Sequence, residues 1–209
     1  SYFEYLRIPY THSGVISSYN AMNKIISKEI FRKNNILTPK YFALNRKDYS
    51  KEKLNRYIKR NKIKFPIIVK PTNEGSSIGV KICKNIIEVN KFANLLFKKY
   101  SDLIFENYIA GQEIQVAVIN GRPLGAIELE PRRQFYDYKA KYTKAANTKH
   151  VMPANIKKDK YKEVLNIAKK AHNALGCKGI TRSDFKFNKN KFYLLEINTQ
   201  PGMTSLSLV

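Results

Sequence analysis

Residues 179–209 read GITRSDFKFNKNKFYLLEINTQPGMTSLSLV. The stretch has the pattern of a β-hairpin: GITRSDFKF alternates, Lys189-Asn190 interrupts it, and KFYLLEIN returns rich in aromatic and branched residues. Side chains alternate faces along a strand, so Arg182 shares a face with Asp184, and Glu196 with Asn198. If the turn is the three residues Lys189, Asn190 and Lys191, Asp184 lies opposite Glu196 and Arg182 opposite Asn198. A two-residue turn shifts the register by one and puts Leu195 opposite Asp184. The first register gathers two carboxylates, an amide oxygen and a guanidinium on one face. Hard oxygens of this kind suit Mg²⁺, which completes its shell with phosphate oxygens. Pro201-Gly202 then allows a sharp turn that exposes a backbone N–H. On a plain surface hairpin, Asp opposite Glu is ordinarily just solvated charge. Facing carboxylates also destabilise a sheet unless a cation sits beside them.

Working outward, 209 residues suffice for one large domain or two small ones. The chain opens without Met in a helical pattern and stops at Leu208-Val209 with no closing element, so a segment of a longer protein is expected. No apolar run is long enough to span a bilayer, and a membrane partner is not expected. Cys83 and Cys177 have apolar neighbours and no metal spacing, which predicts buried free thiols in a reducing cytoplasm. The net charge of +23 invites a nucleic-acid partner. The excess is dispersed lysine without a binding motif, so no nucleic acid is expected.

Towards the N-terminus, IPYTHSG reads as a short strand entering a turn that holds His12, to which no role falls. Ser17 or Ser18 then caps a single helix, SYNAMNKIISKEIFRKNN, with Ala21, Met22, Ile25, Ile26, Ile30 and Phe31 as its core stripe. By spacing alone Lys24 is a surface residue. Further strands are expected at 36–44, 65–71, 80–83, 103–109 and 113–119, and helices at 50–62, 86–100 and 157–175. Asn120-Gly121 is a hairpin turn. Residues 131–156 lack periodicity and read as a long loop, either a functional lid or a disordered stretch. Strands and helices mix, so the fold class is α+β.

Three clusters join the hairpin. Lys70 ends a buried strand just before EGSSIG, whose backbone N–H groups and hydroxyls suit phosphate. FENYIAGQE places Glu106 and Glu113 at either end of a short link between strands. FYDYKAKY carries Lys141 and Tyr142. In this order, MNK, IIVKP, EGSSIGV, FYDYKAKY, GCKGITRSD and LLEINTQPGMTSLSLV resemble the ATP-grasp superfamily and, within it, the D-alanine–D-alanine ligases.

The resemblance covers essentially the whole chain and implies two α+β subdomains gripping ATP, at 16–106 and 107–209. Residues 1–15 would be the tail of an N-terminal domain, 131–150 a lid, and a final helix would follow Val209. Lys24 and Lys70 would contact phosphates, while Glu106, Asn107, the backbone at Ile109, and Glu113 would hold adenine and ribose. Asp184, Glu196 and Asn198 would bind two Mg²⁺, with Mn²⁺ an alternative. Arg182 and the Gly202 N–H would form an oxyanion hole, and Lys141, Ser207 and Leu208 would hold the second D-alanine's carboxylate. Ser76 and Tyr142 would share a hydrogen-bonded trio with a glutamate of the N-terminal domain. Two positions depart from the family pattern: Asn107 stands where Lys is frequent, and Lys139 where Glu is common.

The activity so implied is ATP-dependent joining of two D-alanines through an acylphosphate, for peptidoglycan synthesis in the cytoplasm. A homodimer is the assembly the resemblance allows, and the segment by itself is expected to be incomplete as an enzyme. D-alanine–D-lactate ligation and other carboxylate–amine ligation are the neighbouring readings, and Tyr142 favours an amine nucleophile.

Overall fold

The computed structural model describes residues 2–130 and 149–202. Two compact units emerge: Pro39–Ile109 forms one, and residues up to Thr38 join those from Ala110 onward in the other. Residues 16–38 belong with the C-terminal strands, so these units differ from the expected subdomains 16–106 and 107–209.

The N-terminal segment departs from expectation in three ways. A short helix, α1 (Tyr2–Tyr5), is followed by no strand at IPYTHSG. Instead the Tyr10 hydroxyl donates to Glu4, and the Tyr10 ring lies 4.5 Å from that of His12. The single helix expected from Ser17 is two, α2 (Val15–Met22) and α3 (Lys24–Lys33). The break falls at Asn23, whose side-chain oxygen accepts from the N–H groups of Ile25 at 3.0 Å and Ile26 at 3.1 Å and so caps α3. That cap resets the helical phase. The buried face of α3 is Lys24, Ser27, Lys28 and Phe31, while Met22 is 53% exposed. Ser17 caps nothing; its hydroxyl donates to the Gly176 carbonyl at 2.7 Å.

The smaller unit is an antiparallel sheet under two helices. In chain order it comprises β1 (Tyr41–Asn45), α4 (Lys51–Arg60), β2 (Ile67–Pro71), β3 (Lys81–Cys83), α5 (Ile86–Phe97) and β4 (Asp102–Asn107). The strand order is β1-β4-β2-β3. Alternation assigns the faces: Phe42, Leu44, Ile67, Val69, Leu103 and Phe105 pack with Leu54, Ile58, Val89, Ala93 and Phe97 of the helices. Lys70 and Glu106 therefore fall on the opposite face.

The larger unit continues with β5 (Gln112–Ile119), β6 (Arg122–Glu130), β7 (Lys149–Val151), α6 (Lys158–Ala174), β8 (Ile180–Asn188) and β9 (Lys191–Asn198). Its strands are ordered β7-β6-β5-β8-β9, all antiparallel. β7 lies within the stretch expected to be loop. One face buries Ile114, Val116, Val118, Phe185, Leu194 and Ile197 against Val164, Ala168 and Ala171 of α6. The other face carries Glu113 and Gln115 of β5, Arg182, Asp184 and Lys186 of β8, and Glu196 and Asn198 of β9. Gly179, at φ +61°, immediately precedes β8 in close contact with the N-terminal segment; a Cβ there would lie 1.7 Å from the Thr11 carbonyl oxygen.

The C-terminal hairpin takes the two-residue turn. Asn188 pairs with Lys191, so the turn is Lys189-Asn190 alone, both residues left-handed at φ 46° and 61°. A β-bulge between Asp184 and Phe185 then shifts the register, so Asp184 faces Glu196 and Arg182 faces Asn198 after all. The inserted residue is Leu195. Phe192 and Leu194 point to the core, and the next core residue is Ile197, a step of three instead of two. The bulge is what keeps Glu196 and Asn198 on the Arg182–Asp184 face.

Candidate active site

Asp184 sits at the centre of the polar face of the larger unit. Its register partners are Glu196 on β9 and Gln115 on β5. Arg182, one step along β8, grips both its oxygens, with Nε to Oδ1 at 2.8 Å and Nη2 to Oδ2 at 3.0 Å. Both side chains are largely buried, and the fork-to-fork geometry is the strong form of this ion pair. Glu196 has its own cation, Lys24, at 4.0 Å. The repulsion between facing carboxylates is thus offset by one positive charge for each.

Lys24 is 6% exposed and opens α3, where the helix dipole disfavours a cation. A lysine held there against that preference is not a surface accident, which corrects the spacing-based reading. Asn198 takes the N–H of Gln200 on its side-chain oxygen at 3.1 Å, an Asx turn that shapes the approach to exposed Gly202. Thr199 donates to the Ser18 hydroxyl at 3.3 Å and ties the same loop to α2. Along β5, Glu113 pairs with Lys186 of β8 at 2.9 Å.

The smaller unit holds its own set. Lys70 and Glu106 form a buried ion pair at 2.5 Å. The loop after β2 places Ser76 and Ser77 in the left-handed region at φ 52° and 61°, and a Cβ on Gly75 would meet nothing within 4 Å, so the loop top is open. Asn107 spends its side-chain oxygen on the Lys64 N–H at 2.9 Å, a structural task that spacing did not foretell. Ile109 is half-buried in the link between β4 and β5.

Burial pushes the Cys83 thiol up to about 11 and raises Cys177 as well, so neither is primed as a nucleophile. Both are free, as expected, though Cys177 is only half-buried. Burial also lowers the His172 imidazole below its usual range, against a smaller opposing effect of the backbone at Cys177. The His172 ring nitrogen Nδ1 meets the Thr181 hydroxyl at 2.8 Å. Lys141, Tyr142, Ser207 and Leu208 lie outside the described residues, as does most of the lid.

Among the described residues no cluster of three or more His, Cys, Asp and Glu has the form of a metal site. The candidate donors are two carboxylates and the Asn198 amide. Among those residues no helix is long and apolar enough to cross a membrane.

The family model described as "D-ala D-ala ligase C-terminus" matches residues 30–209. The chain belongs to the D-alanine–D-alanine ligase family. A D-alanine–D-alanine ligase from Pelagibacter ubique is 57% identical over 206 residues, 97% of this chain and 66% of that protein. The D-alanine–D-alanine ligase structure from Bacillus anthracis superposes with a TM-score of 0.84 at 34% identity, covering 99% of this chain and 66% of that one. Its complex with ATP gives 0.83 at 29%, with coverage of 99% and 64%. The D-Ala:D-Ser ligase VanG from Enterococcus faecalis gives 0.85 at 30%, with coverage of 98% and 60%. This ligase-family chain spans just under two thirds of the curated relatives it matches, 66% and 64% for the first two. Its two α+β units carry the fold that the ATP-grasp resemblance implies.

Proposed function

We propose that this chain supplies the nucleotide-handling and bond-forming part of a cytoplasmic, ATP-dependent ligase that joins two D-alanines for peptidoglycan synthesis. The observation that carries the reading is the opposed Asp184–Glu196 pair, each carboxylate matched to its own cation, in a chain 57% identical to a D-alanine–D-alanine ligase. Lys24 and Lys70 would take the phosphates, and the backbone N–H groups of the Glu74–Gly79 loop would serve as further donors. Glu106, Asn107, the Ile109 backbone and Glu113 would hold adenine and ribose.

Asp184, Glu196 and Asn198 present hard oxygens, a donor set that fits Mg²⁺ or Mn²⁺. Asp184 already accepts from Arg182, but a carboxylate has lone pairs enough to serve a cation as well. When bound, the ions would neutralise charge on the phosphate oxygens.

A carboxylate oxygen of the first D-alanine attacks the γ-phosphorus and the bond to ADP breaks, giving an acylphosphate. The amine of the second D-alanine attacks the acyl carbon. The tetrahedral oxyanion is met by Arg182 and the Gly202 N–H, the C–O bond to phosphate breaks, and the departing phosphate takes up the proton the amine sheds. Losing one such donor costs about 3 kcal/mol of transition-state stabilisation. Lys141, Ser207 and Leu208 would seat the second carboxylate, and Ser76 with Tyr142 would orient the reacting groups. The lid would close over the acylphosphate and keep water from it.

The likeness to a D-Ala:D-Ser ligase makes D-serine the second acceptor to weigh. The product of the complete reading frame containing this chain, given ATP, Mg²⁺ and D-alanine, should release ADP and form D-alanyl-D-alanine. In competition D-alanine should exceed D-serine and D-lactate as acceptor. ADP release without dipeptide, or none at all, would overturn the proposal.

A further inference from the structure

The Gln115 side chain is 2% exposed, and neither its amide nitrogen nor its amide oxygen has a hydrogen-bond partner among the described residues. It is not a core residue that lost its partner. Ile114 and Val116, its neighbours on β5, fill the core on one side of the sheet, and Gln115 points to the other. Its two register partners are Ile127 on β6 and Asp184 on β8. Only Asp184 is polar. Glu113, two residues along the same face, is already committed to Lys186 at 2.9 Å. On the far side Ala117, opposite Arg182, offers nothing polar.

A buried amide left unpaired is destabilising, and a native sheet seldom keeps one without a task for it. We propose that Gln115 is a positioning residue for the cation that Asp184 would hold, bonding through its amide to the oxygen shell of that ion. The inference rests on the cation reading given above. The chemistry matches the group. Water on a divalent ion is a donor that the amide oxygen accepts, and the amide N–H₂ donates to carboxylate or phosphate oxygens around the ion. Groups in this outer position orient a ligating carboxylate, and their loss typically weakens metal affinity by roughly 10–100-fold.

The test uses Gln115→Met, an unbranched apolar replacement of similar length, in the product of the complete reading frame. Mn²⁺ is titrated with a non-hydrolysable ATP analogue present, and bound Mn²⁺ is read from water-proton relaxation. Thermal unfolding is measured without ligand. The expected result is Mn²⁺ affinity at least roughly tenfold weaker than wild type, with a melting temperature equal or higher, because no bond within the fold has been lost. If wild type binds Mn²⁺ and the variant binds it equally well, the role assigned to Gln115 is overturned and the Asp184 site stands. If the variant melts several degrees lower or does not fold, Gln115 is structural and the inference is overturned. If wild type itself shows no nucleotide-dependent Mn²⁺ binding, the cation reading fails first and this inference with it.

Discussion

Replacing Arg182 with Ala tests the electrostatics at the centre of the site. Asp184 is 5% exposed, and both its oxygens are bound by that one guanidinium. With charge centres about 4 Å apart and an effective permittivity of about 20, the pair is worth about 4 kcal/mol in direct attraction. Removing one partner of a buried pair typically costs about 3–5 kcal/mol, because the other charge stays behind uncompensated. Here the stranded carboxylate also faces Glu196 across the hairpin. For a chain of this size each kcal/mol moves the melting temperature by about 2–4 °C. Arg182→Ala should therefore lower it by roughly 6–20 °C. Asp184→Asn in the same background removes the stranded charge and should recover much of the loss. Urea unfolding of wild type, both single variants and the double variant would show a coupling of about 2–3 kcal/mol. The pair is buried, so 0.5 M salt should change that coupling little. Single-variant effects that add to within about 0.5 kcal/mol would refute the reasoning.

Two further expectations concern the scaffold. Lys189 and Asn190 both adopt left-handed conformations at the hairpin turn, which Asn-Gly accommodates best. Lys189→Asn with Asn190→Gly should therefore raise unfolding free energy by about 1 kcal/mol in urea titration; a decrease would contradict the turn geometry. Burial lowers the His172 pKa in the folded chain below its usual 6.5. Below pH 6.5 the unfolded chain then takes up a proton that the folded chain refuses, so stability falls as pH drops and levels off below the folded pKa. His172→Gln should flatten the melting temperature between pH 6.5 and 5 relative to wild type; identical slopes would mean the imidazole titrates normally.

Much of the site was legible because its chemistry lies on short, regular elements. Alternation alone put Arg182 with Asp184 and Glu196 with Asn198, and the structure keeps both pairings. What alternation left open was how the two strands meet. The chain uses the two-residue turn and then undoes its shift with a bulge. The signal was present in FYLLEIN, where the core positions Phe192, Leu194 and Ile197 step by two and then by three. The step is masked because Leu195 is as apolar as the core residue Leu194 before it. Lys24 was misread by spacing for a related reason. Asn23 caps a new helix, so the phase counted from α2 does not carry into α3. Gln115 was invisible in sequence, since a Gln in an apolar strand looks like any solvent-facing residue. Only its burial without a partner sets it apart.

The most direct test of the account follows the oxygen atoms. D-alanine labelled with ¹⁸O in its carboxylate would be incubated with ATP, Mg²⁺ and the product of the complete reading frame, and the inorganic phosphate analysed by mass spectrometry. The account predicts D-alanyl-D-alanine together with phosphate carrying one ¹⁸O per turnover, and loss of both when Asp184 is replaced by Asn. Dipeptide formed with unlabelled phosphate, or undiminished in the Asp184→Asn protein, would contradict it.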